Sequence, residues 1–137
     1  MDSDLASAYH AGMRIFLVVA LLVSVVGLAS ADEDGAPLTG RVSDRSRICM
    51  MQDSVQPKPG VAQEYDGKTY WLCCQMCVQS FTADPGKFAH ATDPVTGDVV
   101  DKATAPVYAV NGKAYFFSSE TTLDQFAREP AKYLHGG

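Results

Sequence analysis

Residues 66–77 read Asp66-Gly67-Lys68-Thr69-Tyr70-Trp71-Leu72-Cys73-Cys74-Gln75-Met76-Cys77. Ala62–Tyr65 and Lys68–Leu72 are strand-like runs on either side of Asp-Gly. That pair between two strands predicts a two-residue hairpin turn, because both central residues of a type I′ turn take positive φ. The second strand runs straight into three of the chain's four cysteines. From Cys74 to Thr82, the residues Cys77, Val78 and Phe81 recur at helical spacing. Pro85 ends that helix, since the residue before a proline disfavours the α region. The stretch therefore predicts a hairpin, a cysteine cluster and a short helix, in that order. The fourth cysteine lies upstream in the apolar patch Ile48-Cys49-Met50-Met51, across the turn-forming Pro57-Lys58-Pro59-Gly60.

The same plan returns 45 positions later. Asn111-Gly112-Lys113-Ala114-Tyr115-Phe116-Phe117 matches Asp66 to Leu72, and the offset carries Phe81 to Phe126, Pro85 to Pro130, Lys87 to Lys132, Phe88 to Tyr133 and His90 to His135. An ungapped match of this kind predicts an internal duplication of an α+β unit, a hairpin followed by a short helix. Cys73, Cys74 and Cys77 become Ser118, Ser119 and Thr122. The second unit thus keeps the scaffold without the thiols. Ser118 or Ser119 can cap its helix, with Glu120 in the first turn suiting the helix dipole. Phe116, Leu123, Phe126 and Tyr133 are its expected core.

Ahead of both units, Met13-Arg14 leads into an apolar run from Ile15 to Leu28, then Ala29-Ser30-Ala31 and acidic Asp32-Glu33-Asp34. A basic residue, a short apolar core and small residues at the end predict a signal peptide over 1–31, with translation starting at Met13. The apolar run is shorter than the ~20 residues a bilayer span needs. The expected product is exported, periplasmic or extracellular, with no stable membrane span after cleavage. Cleavage leaves 106 residues with 14 acidic and 10 basic side chains. No basic stripe marks the chain, so a nucleic-acid partner is not expected. The expected organisation is a flexible tether over 32–47, a first unit over 48–90 and a second over 91–137. Units this small commonly need a metal or disulfides to be stable.

With both units laid out, a family resemblance is visible. Asp93-Pro94-Val95-Thr96-Gly97, Tyr108, Asn111 to Ser118, Phe126 and Glu129-Pro130-Ala131-Lys132-Tyr133-Leu134 resemble a YHS domain. Cys49, Asp66 to Tyr70, Cys73-x3-Cys77, Phe81 and Asp84-Pro85-Gly86-Lys87-Phe88 resemble the related TRASH domain. The resemblance implies a treble-clef or zinc-ribbon-like plan and a role in metal sensing, trafficking or resistance. It places Cys49, Cys73 and Cys77 at the family's ligand positions and leaves Cys74 as an extra thiol. In the second unit Thr96, Ser118 and Thr122 stand where ligands would be, so no metal is expected there.

Three thiolates can bind a soft ion. With Met50, Met51 and Met76 nearby they suit Cu(I), since thiolate and thioether are soft ligands. Structural Zn(II) takes four ligands, and the fourth could be Cys74, His90, water or nothing. Neighbouring side chains at a strand end point to opposite faces, which sets Cys74 apart from Cys73. Asp98 and Asp101 read as solvated loop. The residues show no nucleophile–base set and no phosphate loop, so the expectation is a binding protein rather than an enzyme. Its expected partners are the ion and a metal-transport or metalloenzyme protein. Two other readings use the same cysteines: an interaction domain held by two disulfides, and a thiol-disulfide redox protein using Cys74-x2-Cys77.

Overall fold

The computed structural model describes residues 38–135; the expected signal peptide over 1–31 lies outside the described residues. The α+β class holds. Strand β1 is Gly40–Arg41, followed by a 3-10 turn at Arg45–Arg47. Strands β2 (Ile48–Cys49) and β3 (Ser54–Val55) form a short hairpin. β4 (Val61–Tyr65) and β5 (Lys68–Leu72) form the next, followed by helices α1 (Gln75–Ala83) and α2 (Pro85–Phe88). β6 (His90–Thr92) pairs with β7 (Val99–Asp101). The chain closes with the hairpin β8 (Val107–Val110) and β9 (Lys113–Phe116), then α3 (Glu120–Arg128) and α4 (Pro130–Leu134).

Both two-residue turns form as the sequence predicts. Asp66 and Gly67 have φ of 50° and 71°, and Asn111 and Gly112 have 51° and 82°. Helices α1 and α3 start 45 positions apart, each preceded by its hairpin. Alternation does the rest: Tyr70 and Leu72 of β5, and Ala114 and Phe116 of β9, face inward and are buried. Gly60 is fixed by close approach, because a Cβ there would lie 2.3 Å from the Leu72 carbonyl oxygen. Phe126 sits among Tyr108, Tyr115, Phe117 and Tyr133, with ring centroids 5.0–5.9 Å away. Such tilted and edge-on pairs add to the gain from burial.

Two expected boundaries are not kept. Part of the tether is structured: Gly40–Arg41 pairs with β8, Val42 is buried, and Arg41 forms ion pairs with Glu120 and Asp124 of α3. The physical reason is that β8 would otherwise be an exposed sheet edge, and a short covering strand satisfies its backbone groups. Nor does the chain divide at residue 90. One antiparallel sheet runs β1-β8-β9-β3-β2, so strands from both units share it, and the core around Cys49, Tyr70 and Phe81 continues to Ala109 and Phe116.

Candidate metal centre

Two chain segments carry the cysteines to one point. Cys49 is the last residue of β2, and the Met50 backbone N–H donates to the Trp71 carbonyl at 2.8 Å. That bond lays the Cys49 segment against the end of β5, where Cys73 follows. Cys77 lies in the first turn of α1, four positions on, where a helix returns side chains to one face. The Sγ atoms of Cys49, Cys73 and Cys77 all lie within 4.8 Å of one another. Cys73 and Cys77 are 3.4 Å apart, and Cys49 and Cys77 are 3.9 Å apart.

These separations can be tested against a bound ion. Four sulfurs bonded at ~2.3 Å around a tetrahedral ion lie about 3.8 Å from one another. The observed spacings are close to that, and far beyond the ~2.05 Å of a disulfide. All four cysteines are free thiols. The cluster can therefore hold a metal ion. Cys49 and Cys77 are buried and Cys73 is half-buried. Burial pushes the Cys73 and Cys77 thiols above the ordinary cysteine value, because a lone thiolate there would lack solvation. A cation supplies the missing counter-charge. The Gln52 side-chain amide approaches the Cys77 sulfur at 3.8 Å.

The remaining named residues divide sharply. Cys74 is exposed, yet its sulfur is only 3.8 Å from that of Cys73. The expected separation to opposite faces fails because the strand stops at Leu72 and Cys74 is already the residue preceding α1. The Cys74 thiol is held below the ordinary value, first by the nearby Cys77 backbone N–H, which approaches without forming a capping hydrogen bond, and then by the Cys77 and Cys73 thiols. His90 does not join the cluster. It opens β6, exposed, with its ring nitrogen 3.5 Å from the Gly86 carbonyl oxygen, because α2 has carried the chain away. Met50 is fully buried in the apolar core and Met51 packs against it, whereas Met76 is 77% exposed.

Sequence reading missed three polar groups that build this region. Lys102, buried, donates to the Met50 carbonyl at 2.8 Å and pairs with Asp53 at 2.5 Å. It thereby holds the turn that begins at Cys49 from the other half of the sequence. Asp101 is not solvated loop: it accepts from Lys68, from the Tyr70 hydroxyl and from the Ala103 N–H. Burial raises its carboxyl, but these donors outweigh it and keep it below the usual range.

The third is Asp93, which occupies the matching place in the second unit. Its carboxylate accepts from the Val95 and Thr96 N–H groups on one oxygen, and from the Ser118 N–H, Ser118 hydroxyl and Thr122 hydroxyl on the other. Ser118 and Thr122 are the positions equivalent to Cys73 and Cys77. A buried carboxylate thus gathers by hydrogen bonds the same two positions that thiols occupy in the first unit. The only local signal is an Asp bonding N–H groups two and three residues on, a common turn habit. Ser119 caps α3 in a reciprocal box with Thr122, as the serine expectation required.

The YHS domain family matches residues 91–136, which carry the second hairpin–helix unit. No curated protein and no solved structure matches the chain. The four cysteines all lie outside the matched segment.

Proposed function

We propose that this is an exported protein that binds a soft metal ion, Cu(I) or Zn(II), through Cys49, Cys73 and Cys77. Its task is to buffer the ion, deliver it or confer resistance to it outside the cytoplasm, as a binding protein rather than an enzyme. The observation that carries the reading is the convergence of three thiols from two separate segments onto one small, largely buried point. Thiolates in such a site select soft cations over hard ones. The hydrogen-bonded Asp93 supports a single site per chain, because the equivalent point of the YHS unit is already filled by protein donors. Export rests on the sequence pattern around Ala29-Ser30-Ala31.

Elemental analysis of protein purified from its native compartment, with thiol counting, tests the reading. One equivalent of Cu or Zn, and free thiols on its removal, is the expected result. Protein without metal that yields thiols only after reduction would replace this reading with the disulfide-held domain. N-terminal sequencing of the mature protein should begin at Asp32; a chain retaining Ile15 to Leu28 would instead be anchored.

A further inference from the structure

The cysteines are graded from interior to surface. Cys49 is 0% and Cys77 2% exposed, Cys73 is half-buried, and Cys74 is open to solvent 3.8 Å from Cys73. Cys74 also sits where a helix cap belongs, but its side chain makes no capping hydrogen bond. The equivalent residue of the YHS unit, Ser119, caps its helix from the same backbone conformation. A serine would therefore serve the fold better at position 74 than the cysteine does. The thiol there has no structural task, and it stands beside the outermost member of the cluster. Met76, a second soft sulfur, is 77% exposed two residues on.

We propose that Cys74 is the exchange thiol of the centre, the sulfur through which a soft cation enters from, and leaves to, an external thiol carrier. This rests on the three-cysteine site proposed above. On loading, the carrier's ion forms a bond to Cys74 sulfur as one carrier–metal bond breaks. The Cys74 proton passes to solvent, and the departing carrier sulfur leaves as thiolate or takes up a proton. The ion then forms bonds to Cys73 and the two buried thiols, which lose their protons to solvent in turn, as any remaining carrier bond and then the Cys74 bond break; the freed Cys74 sulfur is left as thiolate or takes up a proton. The ion's oxidation state does not change, so no oxidant or reductant is needed. A buried pocket without an outer thiol must shed the whole carrier before binding; a neighbour held at 3.8 Å lets each old bond break only as a new one forms.

The test is stopped-flow exchange on the full mature chain. Cu(I) is delivered as its glutathione complex and withdrawn with bathocuproine disulfonate. For Cys74→Ser, both loading and withdrawal are expected to slow by about tenfold or more, since a tethered neighbour acts at high effective concentration, while equilibrium affinity changes by less than about threefold. Unchanged rates in Cys74→Ser would overturn the exchange role and leave the site intact. Weaker affinity with faster withdrawal would also overturn it, making Cys74 a resident ligand. Wild-type protein that takes up no Cu(I) would remove the site itself and the proposal with it. Because serine fits this position in the YHS unit, the variant is expected to fold.

Discussion

Asp93→Asn probes the hydrogen-bonded counterpart of the three-cysteine cluster. The carboxylate takes five donors, two on one oxygen and three on the other, at distances of 2.7–3.3 Å, and the residue is fully buried. Asparagine keeps one acceptor oxygen and brings two new N–H donors. If its oxygen stays with Ser118 and Thr122, its amide nitrogen faces the Val95 and Thr96 N–H groups. If it is reversed, the nitrogen faces the Ser118 N–H. The hydroxyls can turn to accept, but a backbone N–H cannot. At least one buried N–H is therefore left unpaired, costing about 1–3 kcal/mol, and the surviving bonds lose their charge assistance. The expected loss is about 3 kcal/mol, which for a domain of this size lowers Tm by about 12–24 °C.

The pH dependence gives a second check. Burial raises the Asp93 carboxyl, yet the Ser118 N–H, the Thr122 hydroxyl, the Val95 N–H and the Ser118 hydroxyl together hold it below the ordinary Asp value. A carboxyl depressed on folding contributes stability above the unfolded value of ~3.9, and that contribution is lost as pH falls through the folded value. The gap between wild type and Asp93→Asn should thus be full at neutral pH and shrink in acid below about pH 4. Urea unfolding at several pH values measures it. A loss under about 1 kcal/mol at pH 7, or a gap independent of pH, would refute the role of the carboxylate. Metal stoichiometry should not change, because the thiols lie elsewhere.

Cys49→Ser, Cys73→Ser and Cys77→Ser should each abolish tight binding of Cu(I) and Zn(II), and each should remove the rise in Tm that added metal gives wild type; retained occupancy in all three would exclude the site. Cys74→Ser should instead raise the metal-free stability by about 0.5–1 kcal/mol in thermal unfolding, as a capping serine replaces a non-capping thiol. Lys102→Met leaves the Met50 carbonyl and Asp53 without their buried partner; it should destabilise by about 2–4 kcal/mol and weaken metal affinity through the loosened Cys49 turn, read by competition with a chromophoric chelator. Phe126→Ala should cost about 3–5 kcal/mol in chemical denaturation by emptying the aromatic cluster of the YHS unit, with Cu(I) affinity unchanged.

What the sequence alone determined is local. Asp66-Gly67 and Asn111-Gly112 set the two turns because few residues tolerate positive φ. Pro85 and Pro130 ended helices, Ser119 began one, and the 45-residue offset laid one plan over both units. The three thiols that converge could be singled out because a cysteine has few structural uses and their placement resembled a known pattern. Only the tertiary structure decided the rest. Asp93 meets Ser118 across 25 positions, Tyr70 meets Asp101 across 31, and Lys102 reaches Met50 across 52. β3 joins β9, and Gly40–Arg41 closes the sheet edge. His90 is led away by its strand, and Cys74 is turned towards Cys73 by the bend after Leu72. None of these leaves a periodic trace. Turn, strand and helix signals come from φ/ψ sterics and neighbours a few residues apart, whereas a buried charge or a sheet edge takes whichever partner the folded chain presents.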